Sequence, residues 1–192
     1  MSNTAVVDTC VLFSASLRDT LLRIAQTRLY DIRFTDEILE ELRRNLIEKR
    51  NKSEQQVKWL VASITEAFPD QLVRDYQHLT DLMPVNLKDR HVLAAAIKCK
   101  AQVIVTHNLK DFPPRLLNPY DITAQSPDDF LLRLCIDDNK EHIKHILVQQ
   151  AESLRHPQMT ISEILDRLAI QVPQFARLVR EWFSLDGRLS AR

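Results

Sequence analysis

The chain has 192 residues, 45% hydrophobic and 27% charged, which fits one globular core with an appendage and excludes a disordered or membrane-embedded polymer. Lys plus Arg and Asp plus Glu each number 26, so the formal net charge is zero. That argues against the broad basic footprint of many nucleic-acid binders but leaves room for a local one. The single glycine, Gly187, excludes the glycine-rich loops that cradle phosphates in dinucleotide and nucleoside-triphosphate sites.

Residues 4–8 form a short apolar run that reads as a buried strand ending at Asp8. The spacing of Leu21, Leu22, Ile24, Ala25 and Leu29 predicts a helix over about 18–28, and 30–35 reads as a second strand. Thr35 or Asp36 can cap the next helix, which runs to about Lys49. Ser53 starts an amphipathic helix carrying Val57, Leu60, Val61 and Ile64, and Pro69 stops it. A short helical piece is expected over 71–77. The alanine-rich stretch 89–99 is a helix, 102–106 a third strand, and 120–124 a fourth. From about Ser126 the pattern is helical, with a capping box at Thr160 and Glu163 and a last helix opened by Pro173. That tail holds 9 basic and 10 acidic residues, so no basic arm is hidden in the average.

Helices alternating with short apolar strands imply α/β architecture with a parallel sheet, whose site lies at the carboxyl ends of the strands. No apolar stretch reaches the roughly 18 residues of a membrane span, and no signal core opens the chain, so a cytoplasmic protein without membrane contact is expected. Cys10, Cys99 and Cys135 lack metal-ligand spacing and read as buried thiols. Trp59, Trp182 and the phenylalanines read as core.

Four acids fall where elements begin or end: Asp8, Glu41, Asp89 and Asp111. Taken singly, each has an ordinary reading as a cap, a solvated helix residue or a turn former. Glu41 differs from Glu37 and Glu40 in flanking the apolar face of Ile38, Leu39, Leu42 and Leu46. Asp89 heads the stripe of Val92, Leu93 and Ala96. Crowded carboxylates require a cation, and hard oxygen ligands suit Mg²⁺ or Mn²⁺. His91 and His107 form no metal pair. Lys88, Arg90 and Lys110 flank the acids and are candidate phosphate contacts, with Arg43 and Arg44 weaker ones.

The segments VVDT at 6–9, TDEILEEL at 35–42, DRHVLAAA at 89–96 and VTHNLKDF at 105–112 resemble, in order, those of the PIN-domain nucleases, particularly VapC-like toxins with a helical C-terminal extension. The resemblance implies a PIN-like three-layer sandwich with a short parallel sheet over 1–135, followed by a helical extension over 136–192. It assigns the metal-binding and catalytic acids to Asp8, Glu41, Asp89 and Asp111, with Thr9, Thr106 and Asn108 in support. It also implies Mg²⁺- or Mn²⁺-dependent endonucleolytic cleavage of RNA, an antitoxin partner and a homodimer. Cys10 stands where many members have Asn or Ser, and Asn108 where many have an acid. The competing readings are a catalytically silent RNA- or protein-binding module and, with less support, a phosphate-transfer or receiver domain using Asp8. The latter lacks the paired acids such chemistry needs.

Overall fold

The computed structural model describes residues 4–136, 139–154 and 158–185; Gly187 lies outside them. In chain order, β1 (Thr4–Val7) leads into α1 (Thr9–Leu12) and α2 (Ala15–Gln26), and β2 (Asp31–Arg33) precedes α3 (Asp36–Arg50) and α4 (Glu54–Ala67). The short α5 (Gln77–Thr80) and α6 (Arg90–Lys98) lead to β3 (Val103–Val105), and α7 (Pro114–Leu117) to β4 (Thr123–Gln125). Four helices follow: α8 (Pro127–Leu134), α9 (Lys140–Ser153), α10 (Ile161–Ala169) and α11 (Pro173–Leu185). These elements form two compact units, residues 4–14 with 30–126, and 15–29 with those from 127 onward.

The first unit is built on a four-stranded, wholly parallel sheet in the order β2-β1-β3-β4. Ala5, Val6 and Val7 and the whole of β3 are completely buried, as expected of apolar runs in a covered parallel sheet. Register pairs Val7 with Val105, and the Asp8 amide extends the ladder by donating to the Val105 carbonyl. The side chains of Asp8 and Thr106 therefore emerge together at the carboxyl ends of the central strands. Helix α6 packs on β1 and β3, while α3 packs on α1 and α4. Thr35 caps α3 by accepting from the Ile38 amide, and Ser53 with Gln56 forms a capping box on α4.

Two segments differ from the expected pattern. Of residues 71–77 only Gln77 is helical; the Gln71 carbonyl accepts from the Phe34 amide and the Val73 amide donates to the Phe34 carbonyl, extending the edge beside β2, and the helical turn comes later, at α5. The fourth strand starts at Thr123, because 118–120 form a 3-10 turn closed by Asp121 in a left-handed conformation (φ 56°). Trp59 also departs from its expected place in the core: it is 72% exposed, because Val57 and Ile64 occupy the inward face of α4.

The second unit contains α2 and α8–α11. Gln150 is buried and links α9 to α2, accepting from the Thr20 hydroxyl and donating to the Ser16 carbonyl. Asp128, on α8, accepts from the Gln174 and Phe175 amides and so serves the first turn of α11. The capping box of Thr160 and Glu163 opens α10 as its sequence requires.

Candidate active site

The first unit carries a pocket of about 400 Å³ lined by Asp8, Thr9, Cys10, Phe13, Glu41, Asn45, Lys49, Lys88, Asp89, His91, Val92 and Asn108. Asp8 precedes α1, yet its side chain makes no capping bond; the turn is closed by its main-chain carbonyl instead. Its Oδ2 accepts the Thr106 hydroxyl at 2.6 Å and the Cys10 thiol at 3.1 Å. The first of these is a charge-assisted bond at its short, strong limit. Thr106 in turn accepts from the Asn108 amide, and Cys10 Sγ from the His107 amide. Burial and the neighbouring Asp8 push the Cys10 thiol up to about 12, so it stays protonated and donates to Asp8.

Glu41 is held by Thr9, whose buried hydroxyl bridges the Glu41 carboxylate at 2.9 Å and the Ile38 carbonyl at 3.2 Å. The residue after the strand acid thus positions the helical acid. Glu37 and Glu40 on the same helix are exposed, in agreement with the helical-face argument.

Asp89 sits at the N-terminus of α6 and, like Asp8, makes no capping bond with its side chain. It is buried, and its Oδ2 lacks a hydrogen-bond partner. Burial raises its pKa, helped by Asp111 and Asp8 and opposed by the Lys88 ammonium. Asp111 does not line the pocket. It is joined to it through Lys88, whose Nζ lies 3.0 Å from Asp111 and 3.8 Å from Asp89, while Asn86 donates to its other oxygen.

The supporting residues Thr9, Thr106 and Asn108 all reach the site, Asn108 in the pocket lining itself. Of the three basic candidates, Lys88 lines the pocket, Arg90 turns its Nε to the Val85 carbonyl, and Lys110 is exposed outside the lining. Asn45 and Lys49 were missed by reading acids alone. They follow Glu41 by four and eight positions, so helical spacing places all three on one face. His91 also lines the pocket, with a buried Nε2 that has no partner.

Among the described residues, no group of three or more His, Cys, Asp or Glu side chains is arranged to hold a metal ion; the cation seen against Asp89 and Asp111 is the Lys88 ammonium. The donor set nonetheless fits a hard divalent ion. Asp8, Glu41 and Asp89 present hard carboxylate oxygens to the pocket, one of them buried and unpartnered.

Residues 4–110 match the family described as PIN domain. The chain belongs to the PIN-domain family. Residues 127–181 match a second family, described as VapC50 C-terminal domain, so this PIN domain carries a C-terminal extension of the VapC50 kind. A Mycobacterium tuberculosis (strain ATCC 25618 / H37Rv) protein named "Putative ribonuclease VapC50" is 45% identical over 108 residues, which cover 56% of this chain and 63% of that protein. The match therefore spans less than two thirds of that relative. No solved structure matches the chain. No described helix is long and apolar enough to cross a membrane.

Proposed function

We propose that this PIN-domain protein is a metal-dependent endoribonuclease, the toxin of a VapC-type toxin–antitoxin pair acting in the cytoplasm. The observation that carries the reading is that Asp8 and Asp89 each precede a helix, cap neither, and are buried beside Glu41 around one pocket. Burying carboxylates together is costly unless a cation offsets it.

In this reading Asp8, Glu41, Asp89 and Asp111 hold Mg²⁺ or Mn²⁺. The bound ion supplies a Lewis acid that activates water and stabilises the leaving oxygen of a phosphodiester. Thr106 and Cys10 orient Asp8, and Thr9 orients Glu41. Asn108 adds a polar contact at the pocket wall. Lys88, Arg90 and Lys110 meet substrate phosphates, and Lys49 joins them from the pocket lining. The nuclease chemistry belongs to residues 1–135, with the helices of 136–192 as an extension. An antitoxin and a second copy of the chain are the proposed protein partners. Support comes from membership of the PIN-domain family and the name of the 45%-identical relative.

Purified protein supplied with Mn²⁺ or Mg²⁺ is expected to cleave RNA internally, and Asp8→Asn and Asp89→Asn to abolish cleavage. Full activity in both variants, or activity indifferent to a chelator, would sink the assignment. The lack of a ready-made ligand cluster among the described residues favours one competing reading, a silent RNA- or protein-binding module. Calorimetry that finds RNA binding but no metal binding would select it.

A further inference from the structure

Lys88 differs from the other basic residues near the acids. Its Nζ contacts Asp111 at 3.0 Å and Asp89 at 3.8 Å, and the carboxylate side chains it bridges are only 10% and 11% exposed. Its own side chain is 65% exposed, so the charge is delivered from the solvent side onto acids that water scarcely reaches. Asn86 fixes the second oxygen of Asp111 from the other side, by an Nδ2 donor at 3.2 Å. Asp89 has a buried oxygen with no hydrogen-bond donor at all. The ammonium is therefore the cation that reaches both carboxylates.

We propose that Lys88 is a tethered counter-cation: its ammonium neutralises the acids of the metal-free protein and must leave them for a divalent ion to bind. The inference rests on the metal-site reading above. A charge-compensated site is easier to fold and keep dry than a bare acidic one, at the expense of metal affinity. Divalent ions are thereby made to compete with a group whose effective concentration is fixed by its own chain. The contact also accounts for the arrangement of the acids about a lysine rather than in a ligand cluster.

Calorimetric titration of Mn²⁺ into metal-free wild type, Lys88→Met, Lys88→Gln and Lys88→Arg tests the proposal, with Asp89→Asn as the control that removes a ligand. The two neutral variants are expected to bind Mn²⁺ about tenfold more tightly than wild type, the scale set by removing one unit charge from a partly screened site. Lys88→Arg, which keeps the charge, is expected to stay near wild type. The side chain is 65% exposed, so all three variants are expected to fold, the two neutral ones with a lower metal-free Tm because the acids lose their compensating charge. Equal or weaker Mn²⁺ binding in the neutral variants overturns the counter-cation, as does equal tightening in Lys88→Arg, which would point to bulk and not charge. Absence of Mn²⁺ binding from wild type and neutral variants alike overturns the metal-site reading itself, and the counter-cation with it.

Discussion

Replacing Thr106 by valine keeps the β-branched shape at the end of β3 and removes one hydroxyl. In the folded protein that hydroxyl donates at 2.6 Å to a buried Asp8 carboxylate and accepts at 3.0 Å from the Asn108 amide. A hydrogen bond to a charged group contributes about 1.5–3 kcal/mol, and the second, partly solvated bond about 1 kcal/mol more. The substitution should therefore destabilise the metal-free protein by about 3 kcal/mol, lowering Tm by roughly 6–12 °C for a chain of this size. The informative comparison is the same substitution in an Asp8→Ala background, where the Asn108 bond and the weaker 3.4 Å contact with the Cys10 thiol remain to be lost. There it should cost about 1 kcal/mol, giving a coupling energy of about 2 kcal/mol in a double-mutant cycle. Urea denaturation in the presence of chelator measures all four proteins. If Thr106→Val costs the same in both backgrounds to within about 0.5 kcal/mol, Thr106 does not hold the Asp8 carboxylate, and its role in orienting that acid is refuted.

Asp89→Asn should stabilise the metal-free protein at neutral pH, on the order of 1 kcal/mol after screening at the pocket mouth, because a buried, like-charged carboxylate is removed. The sign follows from the raised pKa. Between the unfolded carboxyl range and that raised value, the folded state binds more protons than the unfolded state, so this group's contribution to stability falls as pH rises through the window. The difference between wild-type and variant denaturation midpoints across pH 3–7 measures it, and a flat difference would refute it. Saturating Mn²⁺ should raise the wild-type Tm and leave that of Asp89→Asn unchanged, read by thermal shift. Asp128→Ala should cost about 2–3 kcal/mol by leaving the Gln174 and Phe175 amides without their carboxylate, a loss visible in urea melts. Trp59→Ser, at an exposed position outside the pocket lining, should change stability by less than about 0.5 kcal/mol.

Legibility in the sequence followed how locally each feature is determined. The apolar runs at 4–8 and 102–106 announced the central strands because a strand buried on both faces leaves little room for polar residues. The box at Thr160 and Glu163 was readable because a cap is settled within four residues. Glu41 could be separated from its neighbours by helical angle alone. Non-local pairing was not legible: nothing in 71–77 signals that its backbone pairs with Phe34, and no spacing rule places the Lys88 ammonium against Asp111. Trp59 misled because size and hydrophobicity suggest burial, whereas the packed face of α4 is decided by Val57 and Ile64. Asn45 and Lys49 were within reach, since the spacing that selected Glu41 also selects them.

The hydroxyl of Thr106 and the carboxylate of Asp8 meet across 98 positions of chain. That separation has a consequence during synthesis. A chain growing from its N-terminus displays Asp8 and Glu41 long before Thr106 is made, and the strand that fixes Asp8 must be threaded in beside β1 after most of the unit exists. Pairing of such high contact order comes late in folding. An unfinished chain therefore lacks the group that orients its first acid, and the pocket of Asp8, Glu41 and Asp89 is assembled only once β3 has been made.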